Sequence, residues 1–84
     1  MEQFETGMMA RSKSGHDAGK VYVITKVEEA YVYLVDGKVR TLDKPKKKKK
    51  KHVQLIKESF DIQGATDVDI KRWIKIRNKE DNQN

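Results

Sequence analysis

Residues 21–37 read VYVITKVEEAYVYLVDG, and this stretch decides the fold. From Val21 to Glu28 the valines and Thr25 alternate with a second set of side chains, and this period of two predicts a half-buried β-strand. Residues 30–35 are a continuous β-prone run, which predicts a strand covered at least partly on both faces. Asp36-Gly37 then predicts a hairpin, because a type I′ turn needs positive φ at both central positions.

Shorter segments on both sides of this stretch extend the β-structure. Residues 39–42 are predicted to return as the strand after the hairpin, residues 8–13 to form the first strand, and residues 52–56 to form one more. Between the first two strands, Gly15 and Gly19 suit a tight connection that visits positive φ. Several short strands in a chain this small predict a barrel or sandwich that closes its edges.

The C-terminal segment predicts an amphipathic helix over about residues 67–78, after a loop at 61–65. Thr66 is a good N-cap, and the acidic residues after it favour the positive end of the helix dipole. Apolar residues recur at helical spacing on one face, and the opposite face is basic. We interpret Trp73, on the apolar face, as the residue that docks the helix on the strands, with base stacking or partner contact as the alternative.

Length and composition exclude several function classes. The chain has 84 residues, with 36% hydrophobic and 38% charged residues, so we expect one small domain with a small core. It has no cysteine, and its two histidines are far apart, so we expect no metal site. We find no phosphate-binding loop and no hydrolase motif around the Ser-His-Asp residues near position 16. We therefore expect no enzyme activity and no cofactor.

The sequence also bears on location. No stretch approaches the ~20 apolar residues of a membrane span. Residues 1–6 carry two glutamates and no apolar run, so they do not resemble a secretory signal. We therefore expect a cytoplasmic protein.

The positive charge is concentrated in one window. Seven of the 19 Lys and Arg residues lie in residues 44–51, which leaves 12 basic residues against 13 acidic ones elsewhere. A local excess of this kind predicts contact with a polyanion, and the alternative is a solvated linker. Pro45 interrupts regular structure, and six consecutive lysines repel each other, so we predict an extended, mobile arm.

Two stretches resemble a KOW motif. The first is residues 7–20 with the apolar alternation that follows, including Gly15, Asp17, Gly19 and Lys20. The second runs from Asp36-Gly37-Lys38-Val39-Arg40 through the lysines to Lys51-His52-Val53-Gln54. Together they are similar to small bacterial KOW-domain RNA-binding proteins, which in turn resemble a KOW-containing large-subunit ribosomal protein of archaea and eukaryotes.

The resemblance implies a mainly β fold, a five-stranded SH3-like barrel, to which the residue pattern described above adds the C-terminal amphipathic helix. The barrel would cover residues 7–56 and include the lysine-rich segment 44–51, after a disordered stretch at 1–6. Residues 57–84 would form a C-terminal extension. The implied partner is structured RNA, most often ribosomal RNA, and the implied setting is the ribosome and translation.

We predict that RNA is bound by the lysine-rich segment and by basic residues of the barrel. The predicted contacts are Arg11, Lys13, His16, Lys20, Arg40, Lys44, Lys46, Lys47, Lys48, Lys49, Lys50, Lys51 and His52. Tyr22, Tyr31 and Tyr33 suit either base stacking or packing within the barrel. Two alternative functions stay open: a module that binds ribosomal, translation-factor or transcription proteins, and an adaptor on anionic membranes, which the lack of a second anchoring signal disfavours.

Overall fold

The computed structural model describes residues 3–81, with side chains through residue 79. Five strands and a C-terminal helix confirm the predicted mainly β class. The strands are β1 (Met8–Ser12), β2 (Val21–Val27), β3 (Tyr31–Val35), β4 (Lys46–Lys49) and β5 (Val53–Ser59). A 3-10 helix spans Lys50–His52, and helix α1 spans Asp67–Asp81. None of the helices within residues 3–81 has the length and apolar character needed to cross a membrane.

The five strands form one antiparallel sheet in the order β4-β3-β2-β1-β5. The two edge strands, β4 and β5, are neighbours in the chain and are joined only by the 3-10 helix Lys50–His52. Since three residues span a short distance, one end of β4 lies near the start of β5. The backbone N–H of Lys13, just after β1, donates to the carbonyl of His52 at 2.9 Å and fixes this junction.

Each face of the sheet carries its own hydrophobic cluster. The inner cluster consists of Ala10, Tyr22, Ile24, Val32, Leu34 and Val53, and the outer cluster of Met9, Val21, Val23, Val35 and Ile70. Strand β2 contributes to both, so its first four residues are all buried. The prediction of a half-buried β2 is therefore wrong for this half, because α1 covers the face that would otherwise meet water.

Helix α1 docks on the sheet through the stripe that the sequence indicated. Ile70 is fully buried, and the ring of Trp73 stacks on Phe60 with 4.6 Å between centroids. This confirms the docking role of Trp73. The N-cap is also confirmed, because Thr66 and Asp69 exchange side-chain to backbone hydrogen bonds at 3.0 and 3.3 Å.

The predicted hairpin at Asp36-Gly37 is wrong, since residues 36–45 form a loop and residues 39–42 form no strand. The Asp36 carboxylate accepts from the backbone N–H groups of Lys38 and Arg40, both at 2.9 Å. Gly37 has φ +82°, and a Cβ there would lie 2.3 Å from the carbonyl oxygen of Asp67 in α1. The glycine thus serves close contact with the helix.

The predicted mobile arm is also wrong, because Lys46–Lys49 form β4 and pair with β3. In a strand, successive side chains point to opposite faces, so neighbouring ammonium groups separate and can find different partners. Strand β5 runs to Ser59, past the predicted end at residue 56. Of the predicted disordered stretch 1–6, residues 1 and 2 lie outside the described residues, and Phe4 packs against the inner cluster.

Candidate nucleic-acid interface

The pairing of β3 with β4 brings tyrosines and lysines together on one surface. Tyr33 lies opposite Lys47, and Tyr31 lies opposite Lys49. Directly opposed residues of an antiparallel pair share a face, so these four side chains lie on the side of the sheet away from the inner cluster. Lys26 of β2 lies opposite Tyr33 from the other side. We name the set Lys26, Tyr31, Tyr33, Lys47 and Lys49 the tyrosine–lysine face.

Ammonium groups sit over both rings of this face. The Lys47 nitrogen lies 4.5 Å from the centroid of Tyr31 and 5.8 Å from that of Tyr33, and Lys26 lies 5.2 Å from Tyr33. These distances suit cation–π attraction. Electrostatic interaction with Tyr33, and secondly with Glu28, raises the pKa of Lys47 above its usual range. Lys47 therefore stays charged at neutral pH beside rings that are only half-buried.

The alternate lysines of β4 point to the inner side and meet a buried carboxylate. Lys46 and Lys48 donate to the two oxygens of Asp17 at 2.8 and 3.1 Å. Their side chains are only 26% and 11% exposed. To contact a phosphate, either lysine would first have to leave this ion pair. The arrangement thus divides the lysine run into an inward pair held by Asp17 and outward side chains, of which Lys47 forms a 3.7 Å ion pair with Glu28.

Two hydroxyl groups complete the shell around Asp17. Ser12 donates to its carboxylate at 2.8 Å, and Tyr22 donates at 3.1 Å. Burial alone raises the pKa of Asp17, but hydrogen bonds led by Lys46 outweigh burial and hold the pKa well below its usual range. Burial and the Asp17 carboxylate raise the pKa of Tyr22 to about 12. Asp17 is therefore ionised and Tyr22 neutral at physiological pH.

Further basic residues extend the face beyond β4. Lys49, Lys50 and Lys51 line a shallow pocket of about 480 Å³ together with Tyr31. The Lys50 nitrogen lies 5.3 Å from the ring centroid of Phe4. Lys13 lies beside this end through its backbone bond to the carbonyl of His52, and its side chain is exposed.

Other predicted contacts lie in different parts of the molecule. Arg11 is on β1 and donates to the carbonyl of Gly19 at 3.2 Å. Lys20 lines a groove beside α1, and Arg40 belongs to the loop that packs on α1. His16 and Lys44 are exposed in the loops before β2 and β4. The structure thus gathers Lys47 and Lys49 to Lys51 with the tyrosines, holds Lys46 and Lys48 at Asp17, and separates Arg11, Lys20 and Arg40 from the face.

One residue of the face was missed from the sequence. Lys26 follows the alternation of β2, but only the register of β2 against β3 places it beside Tyr33. A lone strand lysine carries no local signal of such a neighbour. Within the described residues, no three His, Asp or Glu side chains cluster as metal ligands would.

The chain was also compared with known proteins. No model of a known protein family matches it, and no curated protein matches it significantly. The resemblance of residues 7–54 to a KOW motif therefore stays a prediction from the sequence.

Proposed function

We propose that this protein binds RNA without catalysing a reaction and that the tyrosine–lysine face is the contact surface. The KOW resemblance makes ribosomal RNA, or a ribosome-associated RNA, the preferred partner. We also propose that the protein acts in translation, as the resemblance implies, and that it is cytoplasmic, as the sequence predicts.

The observation that carries this proposal is the alternation of half-buried rings with ammonium groups across three strands. Unpaired bases stack on aromatic side chains, and each such contact is worth about 1–3 kcal/mol. Lysines bind phosphates as point charges. A surface with both groups at strand spacing can take a base on Tyr31 or Tyr33 and the neighbouring phosphates on Lys47 and Lys49.

The ordered strand changes the mechanism from that of a mobile arm. Because β4 is already paired with β3, little backbone entropy is lost when RNA binds. With Lys46 and Lys48 held by Asp17, the outward lysines are Lys47 and Lys49 to Lys51. Four phosphate contacts predict a slope of log affinity against log salt of about −3 to −3.5.

We also propose that the sheet curls into an SH3-like barrel. The support is the short 3-10 link Lys50–His52 between the two edge strands, because such a link requires the edges to approach at one end. The inner cluster would then be the barrel core, and the polar shell of Asp17 would close one end of it.

Binding to a fluorescein-labelled RNA hairpin with an unpaired loop tests the proposal by fluorescence anisotropy. The double variant Tyr31→Ala/Tyr33→Ala should weaken binding by about tenfold or more, since it removes the stacking surface. The variant Lys47→Gln/Lys49→Gln should make the salt slope shallower by about 1.5. The control Lys57→Gln/Lys79→Gln makes the same charge change at exposed lysines elsewhere and should leave the slope nearly unchanged.

An equal loss of RNA affinity and an equal change in salt slope in the control and in the Lys47/Lys49 variant would contradict this site, because attraction would then depend on net charge alone.

The ribosomal partner is tested separately by sedimentation of the native protein in a cell lysate. Co-migration with large ribosomal subunits at low salt, lost at high salt, is expected. Migration as free protein in both salts would contradict ribosome association while leaving RNA binding open to the first assay.

A further inference from the structure

A second basic site lies away from the tyrosine–lysine face, in a groove between α1 and the loop after β3. The groove has a volume of about 790 Å³. Two contacts hold its walls together: Gly37 abuts the first turn of α1, and the backbone N–H of Leu42 donates to the Asp67 carboxylate at 2.8 Å. The groove is therefore formed in the absence of a partner, so little binding energy would be spent on ordering it.

The charge of the groove is strongly positive. Four exposed lysines line it, contributed by the end of the loop before β2, by the loop after β3 and by α1: Lys20, Lys38, Lys71 and Lys75. Within residues 3–81, none of them has an ion-pair partner. The only acidic residue of the lining is Asp36, whose carboxylate already accepts two backbone N–H groups of its own loop.

Apolar side chains lie between these lysines. Val39 is 79% exposed, Ile74 is partly exposed, and Val21 is buried beneath them. Val39 and the exposed part of Ile74 give the groove a small apolar wall bordered by charge, which can contact an apolar side chain. The groove thus offers apolar contact at its centre and four positive charges around it.

We propose that this groove binds an acidic peptide segment of a partner protein, with a large apolar side chain against Val39 and Ile74 and carboxylates at the lysines. The lining contains no aromatic ring and no arginine among the described residues, and these are the groups on which nucleic-acid bases stack. An aliphatic surface instead matches a leucine or phenylalanine side chain. The proposal is independent of RNA binding at the tyrosine–lysine face.

The test is a titration of the ¹⁵N-labelled full chain, followed by amide chemical shifts. The probe is a capped peptide of about ten residues, rich in Asp and Glu, with one central Leu. We expect saturable shifts at Lys20, Val39 and Lys71 and little change at Tyr31 and Lys47. A matched peptide with Ser in place of Leu should bind about fivefold more weakly.

Three variants sharpen the test. Val39→Ser removes apolar contact without changing charge, and we expect it to weaken binding by about fivefold. Lys75→Glu should weaken it by a similar or larger factor, about five- to tenfold, whereas Lys57→Glu, an equal charge reversal on β5, should change it by less than about twofold. Retained spectral dispersion shows that each variant is folded, and all three positions are exposed.

Three outcomes would overturn the proposal. One is the absence of saturable shifts at the groove up to millimolar peptide in low salt. Another is equal weakening by Lys57→Glu and Lys75→Glu, which would show attraction by net charge only. The third is an RNA hairpin that shifts the groove amides and displaces the peptide, which would assign the groove to nucleic acid.

Discussion

At the residue scale, Asp17 decides what the lysine run can do. Its carboxylate accepts hydrogen bonds from two ammonium groups of β4 and from two hydroxyl groups, one on β1 and one on β2. Without that carboxylate, Lys46 and Lys48 would point into the molecule with no countercharge in reach among the described residues. One side chain in the loop before β2 therefore holds an edge strand two strands away and selects which lysines face solvent.

Replacing Asp17 with Asn should destabilise the protein by about 2–3 kcal/mol, because two partly buried ammonium groups lose their countercharge. Urea unfolding at pH 7 measures this, and amide hydrogen exchange should accelerate within β4. The control Asp43→Asn, at an exposed position, should change the unfolding free energy by less than about 0.5 kcal/mol. Equal midpoints for the wild type and Asp17→Asn would show that the cluster contributes no net stability.

The same cluster predicts a loss of stability in acid. The pKa of Asp17 is lowered from 3.8 in the folded protein, so the unfolded chain takes up a proton first as pH falls. The ionised Asp17 carboxylate makes its full contribution to the free energy of unfolding above pH about 4. Below that pH the contribution declines by up to about 1.4 kcal/mol per pH unit. The difference in unfolding free energy between wild type and Asp17→Asn should therefore shrink from pH 5 to pH 2. A constant difference would contradict the lowered pKa.

Tyr22 predicts a loss of stability at alkaline pH. Its pKa is raised from 10.0 to about 12 in the folded protein, so the unfolded chain loses this proton first. Its contribution to stability is complete below pH 10 and is lost as pH rises from 10 to about 12. Tyr22→Phe, which cannot ionise, should lose less stability over that range than the wild type in urea unfolding. If the wild type and Tyr22→Phe lost the same amount of stability, ionisation of other groups would be the cause.

At the element scale, β4 shows how four consecutive lysines can form regular structure. Strand geometry sends alternate side chains to opposite faces, where Asp17 neutralises one set and tyrosine rings with Glu28 accommodate Lys47 in the other. The outward lysines also occupy the edge of the sheet, where charge discourages pairing with another chain. The loop after β3 packs against the first turn of α1 and so helps to fix the position of the helix.

Gly37 tests this link between loop and helix. Gly37→Ala should destabilise the protein by about 2–3 kcal/mol, since a Cβ would lie 2.3 Å from the Asp67 carbonyl oxygen and the residue has φ +82°. Gly64→Ala is a matched control, with φ +80° and no heavy atom within 4 Å of the added Cβ. It should cost only about 1 kcal/mol. Urea unfolding compares the two, and equal losses would mean that the helix moves aside without cost.

At the scale of the whole molecule, α1 divides the outer face of the sheet. The helix covers Met9, Val21, Val23 and Val35, and the tyrosines of β3 lie beyond its reach beside β4. The surface proposed to bind RNA thus stays uncovered, and the edge of the helix forms the groove with four lysines. The protein presents two basic surfaces of different chemistry, one with aromatic rings and one with aliphatic side chains.

The sequence by itself determined the elements whose signals are local. Alternation located β2, a continuous β-prone run located β3, the Thr66 cap set the start of α1, and helical spacing identified Trp73 as the docking residue. Each signal involves residues within a few positions of each other, so it does not depend on contacts with distant parts of the chain.

Only the tertiary structure decided the partner of β3, the burial of β2 on both faces and the two roles of the lysines. Asp-Gly suggested a local hairpin, but the space beside Gly37 was needed for α1, and β3 paired instead with residues 46–49. Lys48 and Asp17 are 31 residues apart in the chain, and no local pattern relates them. Contacts of that separation depend on sheet register and helix docking, and these are settled only when the whole core packs.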